Sequence, residues 1–151
     1  MARDNAGTAV HGRELPQLVA LGFAAVYVVV GLVGFLVTGF SGFAEPNTDR
    51  QLLGFELNPF HNVGHLVTGM TGLLLARTLG GARAYGWVLV ASHVGLLVFG
   101  LLYANQDTPL NFFSFNVADN VLHVGVILVG LVIALLPARG TTGMGGRRAA
   151  A

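Results

Sequence analysis

Four long apolar segments separated by short polar stretches make up most of this chain. They cover residues 17–40, 60–79, 85–103 and 117–137. A helix needs about 20 apolar residues to cross a bilayer, so each segment has a suitable length. None carries Lys, Arg or Glu in its middle, and the only Asp is Asp119, near the start of the fourth. The pattern predicts an all-α membrane protein with four transmembrane helices.

The chain also contains an internal repeat. Residues 24–76 align without a gap on residues 82–134, and fifteen of the aligned positions are identical. A tandem copy usually indicates one structural unit stacked on itself. We therefore predict two helical hairpin repeats, over about residues 17–79 and 80–137, within a four-helix transmembrane domain over residues 17–137. Because each copy crosses the membrane twice, both copies would be parallel in orientation.

The segments outside this domain are polar. Residues 1–16 are expected to form a cytoplasmic lead. Residues 138–151 have no apolar face and are expected to be a disordered cytoplasmic tail. Between the hairpins, the short glycine-containing stretch Gly80-Gly81-Ala82 predicts the turn that makes the second and third helices antiparallel neighbours.

The two outer loops resemble each other as well. Leu, Phe and Asn recur in both loops at spacings of three, which predicts a turn or a short helix lying on the membrane surface. Three aromatic residues of the second loop, Phe112, Phe113 and Phe115, are expected to insert into the lipid interface beside it.

Composition and charge support a membrane location. Hydrophobic residues make up 54% of the chain and charged residues only 10%, against about 25% charged residues in soluble domains. There is no cysteine, which excludes disulfides and thiolate metal sites. All basic residues are arginines, and every one except Arg50 lies on the side of the termini. The positive-inside rule therefore predicts an inner-membrane protein with both termini in the cytoplasm, and no nucleic-acid partner is expected.

Polar residues form a stripe along the second and fourth segments. Their spacings of four and three keep them on one helix face, and polar groups at membrane depth face the protein interior. We expect the two stripes to face each other or a shared neighbour near the outer surface. The asparagines of this structural polar cluster are Asn58, Asn62, Asn116 and Asn120. His65 and His123 occupy matching positions one turn deeper.

Several chemical interpretations of the cluster remain open. The favoured one has no cofactor: the amides and imidazoles fix the helix register, and Asp119 caps the fourth helix or accepts a hydrogen bond from a histidine. A second is b-type haem, with His65 and His123 as axial ligands. A third is a divalent metal site, in which His61 and His65 bind one ion together with Asp119 or His123.

Other functions receive less support from the sequence. A proton pathway would run along the histidine stripe, but no titratable group follows Gly72 in that stripe. His93, in the third segment, is expected to be a buried structural histidine with hydrogen-bond partners. No nucleophile–base pair, phosphate loop or dinucleotide motif is present, so an enzyme is not expected.

Two motifs resemble a known family. The segments NPFHNVGHL, at residues 58–66, and DNVLHV, at residues 119–124, resemble the motifs of a bacterial integral-membrane family catalogued as domain of unknown function 4383. The resemblance covers about residues 17–137. It implies a small four-helix membrane protein and implies no activity.

The sequence thus leads to two hypotheses about function. In the first, the protein is a structural or accessory component of a membrane complex, in contact with the lipid bilayer and other membrane-protein subunits. In the alternative, it is a cofactor-binding membrane protein, either a bis-histidine haem b electron carrier or a divalent-metal protein.

Overall fold

Four α-helices form most of the computed structural model, which describes residues 12–138. Helix α1 spans Leu15–Thr38, α2 spans Pro59–Leu75, α3 spans Leu79–Tyr103 and α4 spans Val117–Leu135. Within the described residues, α1, α3 and α4 are long and apolar enough to cross a membrane. Helix α2 has only 17 residues. The predictions for residues 1–11 and 139–151 lie outside the described part of the chain.

The turn between α2 and α3 differs from the prediction. Gly80, Gly81 and Ala82 lie in the first turn of α3, and the chain reverses over residues 76–78 instead. Thr78 starts the helix early because its side chain accepts a hydrogen bond from the backbone N of Gly81 at 3.0 Å. A Cβ at Gly81 would overlap the carbonyl oxygen of Leu75, so this tight reversal requires glycine's small size.

Each polar stripe packs inside its own hairpin. Helix α1 lies along α2 and α3 lies along α4, whereas α2 and α4 do not approach each other closely. Glycines allow the close packing, since a Cβ at Gly86 would lie 2.6 Å from the carbonyl oxygen of Gly130. Small residues of this kind let helix backbones approach in lipid. The two stripes therefore do not pack directly against each other, and their histidines meet only across a cavity.

The outer end of each hairpin contains the same glycine–asparagine contact. The Oδ1 of Asn62 lies directly against Gly34, and the Oδ1 of Asn120 lies directly against Gly100. Neither oxygen has a hydrogen-bond donor among the described residues, so a glycine Cα–H is the group that faces it, a weak but recurrent interaction. Any larger residue at either glycine would displace the amide.

The ungapped alignment fails in the first half of the repeat. It pairs Gly42 with Gly100, but Gly42 lies in the loop after α1 and Gly100 lies inside α3. The physical reason is loop length, because the chain between α1 and α2 covers residues 39–58 and the chain between α3 and α4 covers only residues 104–116.

The first outer loop folds as a small β-hairpin rather than a helix. Strand β1, Gln51–Leu52, pairs antiparallel with strand β2, Phe55–Glu56. The two turn residues, Leu53 and Gly54, have φ angles of 55° and 90°, and two positive φ angles are what a type I′ hairpin turn requires. In the described residues, the second outer loop consists of turns without a strand.

The phenylalanines of the second loop pack against other aromatic rings, and the burial of Phe115 contradicts its predicted insertion into lipid, whereas insertion of Phe112 and Phe113 stays a prediction. Phe115 is 1% exposed, and Phe112 and Phe113 are half-buried. Their rings pack against Phe60 of α2 and Phe99 of α3 at centroid distances of 5.0 to 5.7 Å. These five rings form an aromatic layer that covers the outer end of the bundle, because both hairpins contribute apolar side chains there.

Candidate functional site

A cavity of about 200 Å³ lies between the two hairpins, beneath the aromatic layer. Each of the four helices supplies polar side chains to its wall. Tyr27 comes from α1, His61 and His65 from α2, His93 from α3 and His123 from α4. We call this cavity the histidine chamber. Among residues 12–138, no Lys, Arg, Asp or Glu lines it, so the histidines are the side chains there that could carry a positive charge.

Six rings around the chamber form a closed circuit of contacts. All six ring pairs have centroid distances within the range for favourable aromatic contact, about 4.5–7 Å. In order, the distances are Tyr27–His65 5.5 Å, His65–His61 4.6 Å, His61–Phe115 5.0 Å, Phe115–His123 4.9 Å, His123–His93 5.4 Å and His93–Tyr27 6.0 Å. The structure therefore brings His61, His65 and His123 to one cavity.

Hydrogen bonds fix the protonation of His93. Its Nδ1 lies 2.9 Å from the carbonyl oxygen of Leu89, which can only accept, so Nδ1 carries the proton. Its Nε2 lies 2.8 Å from the Tyr27 hydroxyl and is therefore the acceptor in that bond. His93 thus has partners for both nitrogens, as expected for a structural histidine, and it holds the Tyr27 ring against the chamber.

The other three histidines have unpaired ring nitrogens. Nδ1 of His61, Nδ1 of His65 and both nitrogens of His123 are buried and have no hydrogen-bond partner among the described residues. Buried polar groups in folded proteins are nearly always paired, and each unpaired one costs about 1–3 kcal/mol. The chamber therefore offers hydrogen-bonding capacity that the protein itself does not use.

Asp119 faces a different cavity. Its Oδ2 accepts a hydrogen bond from the backbone N of Asn116 at 2.8 Å, which confirms the capping interpretation. Its Oδ1 is buried without a partner in the described residues. Asp119 lines a second space of about 140 Å³ together with Leu57 and His65, and His65 and Leu122 line both cavities.

Neither cofactor hypothesis gains support from this geometry. Among residues 12–138, no group of three or more His, Cys, Asp or Glu side chains could hold a metal ion. For haem, the two proposed axial ligands are already connected by protein side chains. The ring of His65 contacts Tyr27, Tyr27 is hydrogen-bonded to His93, and the ring of His93 contacts His123. The chamber is also smaller than the roughly 300–1,000 Å³ typical of drug-sized ligand sites. A porphyrin between the two histidines stays a prediction without geometric support.

The outer loops are joined above the chamber by asparagine side chains. Asn58 caps α2 through its Oδ1, and its Nδ2 donates to the carbonyl oxygen of Phe112 in the other loop at 2.8 Å. Asn116 caps α4, and its Nδ2 donates to the carbonyl oxygen of Gly54 in the first loop at 2.8 Å. Each of these two asparagines therefore caps its own helix and donates a hydrogen bond to the outer loop of the other hairpin.

Glu56 is the acidic residue of the first loop whose side chain meets the second loop. Burial raises the pKa of the Glu56 carboxyl, the nearby Asp49 raises it further, and a hydrogen bond from Ser114 partly offsets both effects. Ser114 also accepts from the backbone N of Thr48 at 3.0 Å. Glu56 and Ser114 thus tie the two loops together at a polar point.

Tyr27 is the chamber residue that the sequence did not indicate. Its recurrence as Tyr85 was visible, but Tyr85 packs elsewhere, against Gly72, and its hydroxyl is buried without a partner in the described residues. A gap in the alignment of the two repeats would have indicated it, because such an alignment pairs Tyr27 with His93 instead of Tyr85.

These features define a helical protein of membrane type with an imidazole-lined cavity between two hairpins. The chain belongs to the family described as Domain of unknown function (DUF4383), which matches residues 17–136. This match confirms the resemblance found in the two sequence motifs. No curated protein and no solved structure matches the chain.

Replacing Tyr27 with phenylalanine is expected to lower the free energy of unfolding by about 1–3 kcal/mol. The change leaves the ring in place but removes the hydrogen-bond partner of Nε2 of His93, which is buried. Unfolding in mixed detergent micelles measures the effect. Tyr103→Phe is the control, because no hydrogen bond of its hydroxyl is found in the described residues and only its ring packs on Phe99. Equal losses in both variants would contradict the assigned bond.

Proposed function

We propose that this protein is a non-enzymatic accessory component of a membrane complex that binds a small, uncharged, hydrogen-bonding ligand in the histidine chamber. One observation carries the proposal: imidazoles from both hairpins line one cavity, and four of their ring nitrogens are buried without a partner in the described residues. Neutral imidazole both donates and accepts hydrogen bonds, which suits hydroxyl or carbonyl groups. The absence of charged side chains from the chamber lining argues for an uncharged ligand.

Reciprocal contacts support two parallel hairpin repeats. Asn58 bonds to Phe112, and Asn116 bonds to Gly54. Because Asn116 and Phe112 each lie 58 positions after Asn58 and Gly54, the two bonds are the same contact made in both directions. Such reciprocity is typical of a twofold arrangement. We infer a pseudo-twofold axis along the membrane normal, as in other parallel repeats.

The chamber lies on this inferred axis. In the first helix of each hairpin the matching positions are 66 apart, as the contacts of Gly34 and Gly100 indicate. With that spacing Tyr27 is equivalent to His93, and these two residues bond to each other. Glu56 and Ser114 are equivalent at a spacing of 58 and also meet. Contacts between equivalent positions occur only near a symmetry axis.

Helix α2 completes a set of four spans in this proposal. Its 17 residues extend about 25 Å at 1.5 Å per residue, close to the thickness of a bilayer's hydrocarbon core, about 30 Å. The arginine distribution places both termini in the cytoplasm. The protein would lie in a bacterial inner membrane, with the chamber in the outer leaflet and the exposed apolar faces of the helices in lipid.

Native mass spectrometry from mild detergent tests the proposal. We expect the wild-type protein to carry a small molecule that His123→Phe loses. The matched control is Leu128→Phe, a residue of the same helix that is 58% exposed and lies outside the chamber. If both variants keep the same bound mass, the ligand is not in the chamber. A Soret band or a stoichiometric metal would overturn the proposal in favour of the cofactor hypothesis.

Partner subunits require a separate experiment. Cross-linking in native membranes should join this protein to another integral membrane protein if it is an accessory component. Recovery of only monomeric, uncross-linked protein under conditions that join a known membrane complex would contradict the accessory role.

A further inference from the structure

A lipid-facing crevice runs between α1 and α4. It encloses about 290 Å³ and its lining is almost wholly apolar: Phe23, Val26 and Val30 on one side, and Leu122, Val126 and Val129 on the other. Gly125 also lines it, and this glycine has no heavy atom within 4 Å of an added Cβ. Val26 is 57% exposed, so the crevice opens to the outside of the bundle.

The inner end of the crevice reaches the histidine chamber. Tyr27, His65 and Leu122 line both spaces. Nδ1 of His65 is buried there without a partner in the described residues. The Tyr27 hydroxyl gives its proton to His93, so its oxygen can accept a second hydrogen bond. A molecule entering from the crevice therefore meets one unused imidazole nitrogen and one acceptor oxygen.

The position of the crevice restricts what can occupy it. Its walls belong to two helices that are long and apolar enough to cross a membrane, so an occupant comes from the bilayer and carries an apolar tail. A phosphate headgroup is unsuited, because no Lys or Arg of the described part of the chain lines either space. Arg50, in the first outer loop, donates to the carbonyl oxygens of Thr38 and Ser41. The head is therefore small and uncharged, and its groups both donate hydrogen bonds to imidazole nitrogens and accept them, as hydroxyl groups do.

A flat ring with two hydroxyl groups meets these requirements. Six rings surround the chamber, and aromatic walls favour a planar guest. The unpaired nitrogens belong to residues on opposite sides, His61 and His65 on α2 and His123 on α4, so donors at two ends of one ring could reach both sides. We propose, as a deepening of the proposed function, that the chamber and crevice together bind an isoprenoid quinol from the bilayer.

In this arrangement the ring lies in the histidine chamber and the prenyl tail leaves through the crevice. One hydroxyl donates to the His65 side and the other to the His123 side. Leu122 lines both spaces and is 38% exposed, so in this proposal its side chain changes rotamer when the ring enters. The proposal concerns binding of the reduced head and includes no electron transfer.

The test uses decylbenzoquinol as the probe, added anaerobically to the full-length protein in nanodiscs with ¹⁵N-labelled histidine. Binding should shift the imidazole nitrogen signals of His65 and His123. Gly125→Trp fills the crevice without touching the chamber and is expected to weaken binding about tenfold or more. Gly95→Trp is the matched control, because its site on α3 is also free of neighbours within 4 Å but does not line the crevice; it should bind as the wild type does.

Two further probes separate this inference from the proposed function. The first probe is hydroquinone, which has no tail. If it shifts the same signals in both tryptophan variants, and if Gly125→Trp does not weaken binding of decylbenzoquinol either, then a ligand binds in the chamber but its tail does not lie in the crevice. That result would contradict the crevice proposal and leave the proposed function intact. Decylbenzene, a tail with an unsubstituted ring, should not shift the signals, and equal binding of it would overturn recognition of the hydroxyl groups. If none of the probes binds and native mass spectrometry finds no chamber ligand, both proposals fail.

Discussion

Replacing Gly86 with alanine should destabilise the α3–α4 hairpin by about 3 kcal/mol. The added Cβ would lie 2.6 Å from the carbonyl oxygen of Gly130 and 2.7 Å from the backbone N of Ala134. Backbone atoms cannot rotate away, so the two helices must separate along their length. In lipid, helix association depends mainly on close packing, and for that reason the loss should be large. Unfolding by detergent titration measures it.

Gly95 provides the control on the same helix. An added Cβ there meets no heavy atom within 4 Å, so Gly95→Ala only restricts the unfolded backbone and should stabilise the protein by about 0.5–1 kcal/mol. Changes of the same sign in the two variants would show that close backbone contact between α3 and α4 is not what holds the hairpin together.

His123→Phe is expected to raise the free energy of unfolding of the ligand-free protein by about 1–2 kcal/mol. The phenyl ring keeps the flat shape that packs 4.9 Å from Phe115 and 5.4 Å from His93. It removes two buried nitrogens that have no partner in the described residues. A stabilising substitution that also abolishes ligand binding would indicate that the histidine is kept for function, since proteins often lose stability at functional sites.

The same substitution at His93 should have the opposite effect. His93→Phe removes the acceptor of the Tyr27 hydroxyl, which leaves that hydroxyl buried without a partner, whereas the Leu89 carbonyl keeps its hydrogen bond from Ser92. We expect a loss of about 2 kcal/mol or more in the same unfolding experiment. If His123→Phe were equally harmful, the nitrogens of His123 would have partners after all, and the hydrogen-bonding capacity of the chamber would be smaller than inferred.

Most of the helical framework could be predicted because it depends on local physics. Apolar length indicated the helical segments, whereas Asn58 and Asn116, which cap α2 and α4, were assigned only to a polar cluster. The start of α3 was missed because Gly80 and Gly81 were interpreted as a turn, although Thr78 precedes them as a good capping residue. The recurrence of Asn47 as Asn105 has a local cause too. Both have positive φ angles, of 48° and 59°, a conformation that asparagine tolerates.

The site was only partly predictable because it depends on how the hairpins meet. Spacing along α2 and α4 was enough to group His61, His65 and His123. Asp119 was grouped with them too; it lines the smaller cavity together with His65, and its place in a metal site stays a prediction. Tyr27 was missed because the different lengths of the outer loops shift the first helices of the two hairpins relative to each other.

The bond between Tyr27 and His93 has an evolutionary consequence. On the proposed symmetry, an ancestor with a single hairpin would have assembled as a homodimer, and both partners would have placed the same residue at this point. Two tyrosines or two neutral histidines can also pair, but neither arrangement makes one side the fixed donor and the other the fixed acceptor. On that history, gene duplication and fusion allowed the two halves to carry different residues at this point. The single chain therefore has a fixed donor, Tyr27, and a fixed acceptor, His93, where identical subunits would have carried the same residue twice.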